Sequence, residues 1–116
     1  MAKKRMKWYK VFDSLEEAVQ AFPNRQVVKV MADKKYVCFT RNDDSFFAFD
    51  DRCPHQGKPL VQGKCTEAGE VWCPFHQYRF NLTTGQGHGL YLPVYPVEVR
   101  EDGVFIGFER GFWDFF

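Results

Sequence analysis

The sequence predicts an all-β domain, an antiparallel sandwich or barrel, with one short helix. Three observations predict it. Short segments rich in β-branched and aromatic residues recur at 27–30, 36–41, 46–49, 71–73, 78–82, 94–100 and 104–108. Turn clusters such as Asn42-Asp43-Asp44-Ser45 and Glu101-Asp102-Gly103 separate them. Only one stretch carries a strong helix signal, and many short strands with polar turns pack as a sandwich or small barrel.

The elements follow in order. Residues 1–10 carry Lys3, Lys4, Arg5, Lys7 and Lys10 with no acid, and read as a solvated basic arm running into the first strand. No apolar signal core follows, and no run of about 18 apolar residues exists, so neither secretion nor a membrane span is expected. The expected location is cytoplasmic. Ser14-Leu15-Glu16-Glu17 reads as a capping box, in which the Ser hydroxyl accepts the Glu17 N–H. Leu15, Ala18, Val19 and Phe22 then share a helical face, and Pro23-Asn24 end the helix. A polar, Gly-containing insertion at 53–69 interrupts the strand rhythm, and loops of that length in a compact domain are usually functional. The last residues, Gly111-Phe112-Trp113-Asp114-Phe115-Phe116, are expected to pack back on the domain, with a partner-docking or dimer-forming peptide as the alternative.

Length and composition narrow the class. A chain of 116 residues is one domain, 1–116, and buries roughly 65% of its extended surface without staples. Sixteen basic residues against fifteen acidic ones argue against a nucleic-acid binder. The balance hides an asymmetry, because without the five basic residues of the arm the body holds eleven basic and fifteen acidic residues. Aromatics at 18% exclude a disordered chain, and four Cys are too few for a disulfide scaffold. Four Cys and three His remain to be explained.

Two clusters follow strands directly: Cys53-Pro54-His55-Gln56-Gly57 and Cys73-Pro74-Phe75-His76, with seventeen residues between His55 and Cys73. Each offers one thiolate and one imidazole. Ordinary core or surface residues are one reading. A structural zinc site is a second, although zinc fingers usually place Cys with Cys and His with His, and here each element mixes them. A [2Fe–2S] cluster with two Cys on one iron and two His on the other is the third. Two adjacent strand ends suit it, each turning its Cys inward and its His outward. The prolines stiffen the loops, and Gly57 permits a tight turn.

The pattern Cys-x-His, seventeen residues, Cys-x-x-His resembles the Rieske family. The similarity extends to Phe49-Asp-Asp-Arg-Cys-Pro-His-Gln-Gly57, Pro59-Leu60, Cys73-Pro-Phe-His-Gln-Tyr-Arg-Phe80, Thr84-Gly85 and Tyr95-Pro-Val97, over about residues 8–108. The resemblance implies one [2Fe–2S] cluster per chain, held by Cys53, His55, Cys73 and His76. It implies a cluster-binding subdomain at about 50–86 inserted in a larger antiparallel sandwich or barrel. Two neutral imidazoles in place of two thiolates make the oxidised unit formally neutral and the reduced one about −1, which lifts such centres to roughly −150 to +300 mV.

The resemblance also separates branches. Respiratory members carry an extra Cys in each loop, joined as a disulfide; Lys58 and Phe75 stand there in this chain. They also place a Ser and a Tyr where Tyr78 and Phe80 stand here, so a potential low in the range is expected. There is no room for a catalytic domain, so the chain looks like a soluble ferredoxin component with no catalytic residues, passing electrons from a reductase to a terminal oxygenase. The runner-up is the small subunit of an assimilatory nitrite reductase, and structural zinc binding is a further alternative. A monomer is expected, with neither nucleic acid nor membrane as partner, docking through the tip formed by Pro54, His55, Gln56, Phe75 and His76. The loop at 85–93 is shorter and more Gly-rich than the family's usual cover. His88 within it reads as a surface residue, or else as a group at the edge of the site. Cys38 and Cys65 read as free thiols outside the ligand set.

Overall fold

The computed structural model describes residues 5–54, 57–75 and 77–110, without the side chains of Arg5 and Arg110. The C-terminal aromatic segment, 111–116, lies outside the described residues. Two antiparallel sheets form the main body. One joins β1 (Arg5–Phe12), β12 (Gly103–Arg110) and β11 (Val97–Arg100), with β12 in the centre. The other runs in the order β10 (Val94–Tyr95), β4 (Ser45–Phe49), β3 (Lys35–Asn42), β2 (Val28–Ala32). The expected strand at 94–100 is split at Pro96, which has no N–H to donate to a ladder. At that point the chain passes from β4 to β12, and the Pro96 carbonyl accepts the Gly107 N–H at 2.9 Å.

The expected basic arm is a strand from Arg5 onward. It pairs with β12 from Arg5↔Arg110 to Phe12↔Val104. Lys7 and Lys10 stay at the surface, with their ammonium groups 5.7 Å from the Tyr9 ring and 5.8 Å from the Phe105 ring. The basic residues hid the strand, because their long stems lie along aromatic surface while their charges stay in water.

The helix α1 (Leu15–Ala21) starts as expected: the Ser14 hydroxyl accepts the Glu17 N–H at 3.0 Å. Ala18 and Phe22 are buried, and the Phe22 ring meets Phe39 edge-on at 6.0 Å. Leu15 is 39% exposed, unlike the expected face, because it opens the helix before the first turn reaches the core. Ser14→Ala is expected to cost about 1 kcal/mol, read as a lower urea midpoint with an unchanged m-value.

Alternation along the second sheet divides two cores. Val37, Phe39 and Ala48 face a core shared with Ala18, Phe22, Val104 and Ile106. Cys38 and Phe49 face the other way, into a core with Val27, Leu60, Val71, Phe80, Leu82 and Leu92. The side-chain period of two makes one sheet serve both. The second core is built by the chain between β4 and β10. There a 3₁₀ turn (Leu60–Gln62) leads to a sheet of β5 (Lys64–Cys65), β6 (Glu70–Trp72) and β7 (Arg79–Asn81), and then to a hairpin of β8 (Gln86–Gly87) and β9 (Leu90–Tyr91). This part is tied to the main body where the Cys65 N–H meets the Arg25 carbonyl at 3.0 Å and the Asn42 amide meets the Glu67 carbonyl at 2.9 Å.

Candidate metal centre

Two matching turns emerge at one end of the second core. Cys53 follows β4, and its N–H donates to the Lys58 carbonyl at 2.8 Å. Gly57, at φ +70°, donates back to the Cys53 carbonyl at 2.7 Å. Cys73 follows β6, and its N–H donates to the Tyr78 carbonyl at 2.8 Å. Each turn is thus closed by a Cys N–H and a carbonyl five residues on. His55, Gln56 and His76, which the turns carry, lie outside the described residues.

Both sulfur positions are withdrawn from water, with Cys53 3% and Cys73 1% exposed, and both belong to the second core. No disulfide joins any of the four cysteines. Among the described residues, no group of three or more His, Cys, Asp or Glu is arranged to hold a metal ion. Cys53 and Cys73 are the described half of the expected donor set. Two unoxidised sulfur donors at the bases of matching turns, against apolar walls, fit the sulfur side of an iron–sulfur pair.

The turns are braced. The Lys58 ammonium lies 5.5 Å from the Phe75 ring, joining the two loops at the positions the respiratory branch links by a disulfide. An exposed cation–π contact contributes about 0.5–1 kcal/mol, far less than a covalent clamp.

Sequence reasoning missed Asp51 as a site residue. Its Oδ1 accepts the Val61 N–H at 2.9 Å and the Cys38 thiol at 3.3 Å, and its Oδ2 lies 3.1 Å from the Lys29 ammonium. It therefore ties the start of the first Cys–His loop to its return and to β2 and β3. Burial pushes the Asp51 carboxyl up, but the Val61 N–H, Lys29 and Cys38 outweigh it and hold it below the usual range. The signal was an acid two residues past the end of a strand and two residues before the first Cys. Its neighbour Asp50 accepts the Tyr95 hydroxyl at 2.5 Å and lies 3.4 Å from Lys35, so β3 and β10 hold it too.

Cys38 and Cys65 are buried thiols in the same core. Burial, and then the Asp51 carboxylate, pushes the Cys38 thiol far up. Burial, opposed by Arg25, pushes Cys65 up to about 11. Both stay protonated at neutral pH, and the thiolate is the metal-binding form.

The loop at 85–93 is a tight hairpin with His88 and Gly89 at its turn, and the exposed His88 packs its ring inward. Its Nε2 accepts the Arg79 N–H at 3.2 Å, and its ring stacks on Tyr78 with centroids 4.5 Å apart. The Tyr78 ring is therefore committed to the hairpin.

Comparison with known proteins places the chain in a family. The Rieske [2Fe-2S] domain family matches residues 7–95. The ferredoxin component of the alkene monooxygenase system of Xanthobacter autotrophicus is 36% identical over 76 residues, covering 63% of this chain and 62% of that protein. The 3-phenylpropionate/cinnamic acid dioxygenase ferredoxin subunit of Photorhabdus laumondii is 37% identical over 70 residues, covering 55% of this chain and 65% of that one. The matched stretch thus spans a little under two thirds of each relative. Among solved structures, a chain in the complex of reduced oxygenase and oxidized ferredoxin in carbazole 1,9a-dioxygenase superposes with a TM-score of 0.69 at 27% identity, covering 85% of this chain and 91% of that one.

Proposed function

The chain belongs to the Rieske [2Fe-2S] domain family, and on that footing we propose that it passes single electrons from a reductase to a terminal oxygenase. In this reading Cys53 and Cys73 hold one iron, and His55 and His76 the other. A cluster held by these four side chains supplies one reversible electron and leaves no open metal position for a substrate. The observation that carries the reading is the pair of matching turns, each closed by its Cys N–H, with both sulfurs buried in one core. The curated relatives, named as ferredoxin parts of a monooxygenase and a dioxygenase system, favour an oxygenase over a nitrite reductase as acceptor.

The chain's own residues then divide the work. The walls around Cys53 and Cys73 keep water from the sulfur donors. Phe80 is buried and has no hydroxyl to offer a sulfur, which favours a potential low in the Rieske range. Phe75 is 42% exposed, which supports a docking face made of Phe75 and Pro54, to which the motif adds His55, Gln56 and His76. The carrier works as a monomer in the cytoplasm; among the described residues no helix is long and apolar enough to cross a membrane.

Dithionite reduction is expected to give a Rieske EPR signal, and redox titration a midpoint below about +100 mV, inside the known span. A colourless, EPR-silent protein containing zinc would overturn the reading. Phe75→Glu sets an unpaired carboxylate in the docking face. Its electron transfer to the terminal oxygenase recovered by pull-down is expected to fall by about tenfold or more, with the EPR signal unchanged. A wild-type rate removes the tip as the docking face.

A further inference from the structure

We propose that His88 is a positioning residue that latches the β8–β9 hairpin onto the second Cys–His loop and fixes the peptide plane that closes that loop. The proposal rests on the carrier reading only for what the loop holds.

The turn itself gives no reason for a histidine. His88 and Gly89 stand at φ +53° and +76°, the two central positions of a two-residue hairpin turn. Such turns favour Asn, Asp or Gly at the first position, because side chains there are strained. The imidazole returns something for that strain. Its Nε2 accepts the Arg79 N–H at 3.2 Å, so the ring serves as a neutral acceptor. That N–H and the Tyr78 carbonyl belong to one peptide unit, and the carbonyl accepts the Cys73 N–H at 2.8 Å. One plane is thereby pinned on both edges, by the cysteine on one side and by His88 on the other.

Two ring contacts hold the imidazole in register. The ring lies nearly parallel to Tyr78, at 20°, with centroids 4.5 Å apart. It meets the buried Phe80 ring edge-on at 6.3 Å. On β8, a Cβ built on Gly87 would stand 2.1 Å from the Arg79 carbonyl oxygen, so only glycine lets β8 approach β7 this closely. The hairpin therefore meets Arg79 twice, by a hydrogen bond at its N–H and by close backbone approach at its C=O. Loss of the acceptor frees the 78–79 plane to turn, and with it the loop carrying Cys73 and His76.

Three variants of the cluster-bearing protein test this. His88→Asn relieves the turn strain but gives up the stacked ring and its acceptor. His88→Phe keeps the stack and lacks the acceptor. His88→Gln restores an amide acceptor without the ring. Hydrogen exchange followed by mass spectrometry over peptides covering 78–81 is expected to be about tenfold faster in the Asn and Phe variants, as the loss of one hydrogen bond implies. The Gln variant is expected to recover part of the protection. The reduced-state EPR lines of the Asn and Phe variants are expected to broaden or shift, with a urea midpoint lowered by no more than the loss of one hydrogen bond implies. Unchanged exchange and EPR lines in both would overturn the latch, as would an Asn variant better protected than the wild type, which would make His88 a turn residue alone. An EPR-silent wild type would instead overturn the carrier reading, and the exchange data would still judge the latch.

Discussion

Cys53→Ser and Cys73→Ser are each expected to abolish the cluster. Iron should fall from about two per chain to near zero, and the visible bands and EPR signal should vanish. Serine keeps the size of the side chain and the N–H that closes each turn, so the loops retain their backbone ties. What is lost is a soft donor that ionises readily beside iron. Cys38→Ser and Cys65→Ser are expected to keep both signals. Cys38 donates its thiol hydrogen to Asp51 at 3.3 Å, and Cys65 donates its own to the Thr66 carbonyl at 3.4 Å. A hydroxyl can do the same in either place. All four cysteines lie in one core, so burial alone does not distinguish them. The distinction lies in position, because only Cys53 and Cys73 stand at the base of a closed turn. Loss of colour in Cys65→Ser would overturn the ligand assignment.

Asp51→Ala is expected to destabilise the protein by about 3 kcal/mol and to speed removal of iron by a chelator. The alanine leaves the Val61 N–H and the Cys38 thiol without their acceptor. The Lys29 contact adds little, since the Lys29 side chain is 47% exposed and such pairs contribute at most about 1 kcal/mol. Asp51→Asn keeps an oxygen for Val61 and should fall between the two. Urea denaturation of the three proteins checks the order. An alanine variant within about 0.5 kcal/mol of wild type, the range of an ordinary surface change, would show that the loop holds without this clamp.

Local chemistry made much of the fold readable. The Ser14 cap, the β-branched runs and both Cys–His clusters announce themselves over a few adjacent residues. What escaped depended on distant partners. β1 was obscured by Lys7 and Lys10, whose exposure is settled by the rings beside them. Asp51 looks like any turn acid until Val61 and Cys38 arrive at it. His88 sits in a stretch whose glycines suggest slackness, yet Gly87 is there to allow contact with Arg79. Pro96 falls inside what local propensity reads as one strand, because propensity does not reveal a change of ladder partner. The imidazoles of His55 and His76 rest on the motif, since both residues fall outside those described.

The pairing of β1 with β12 has a consequence for biosynthesis. Phe12 meets Val104, so the three-stranded sheet joins the first described strand to the last. Closing so long a loop costs little extra entropy, which grows only with the logarithm of its length, but it places the contact late in time. During translation Trp8 and Tyr9 have no strand beside them until residues 103–110 leave the ribosome. The core residues around Cys53 and Cys73 are all synthesised by Val94. A nascent chain can therefore have its sulfur donors gathered while its two ends are still apart.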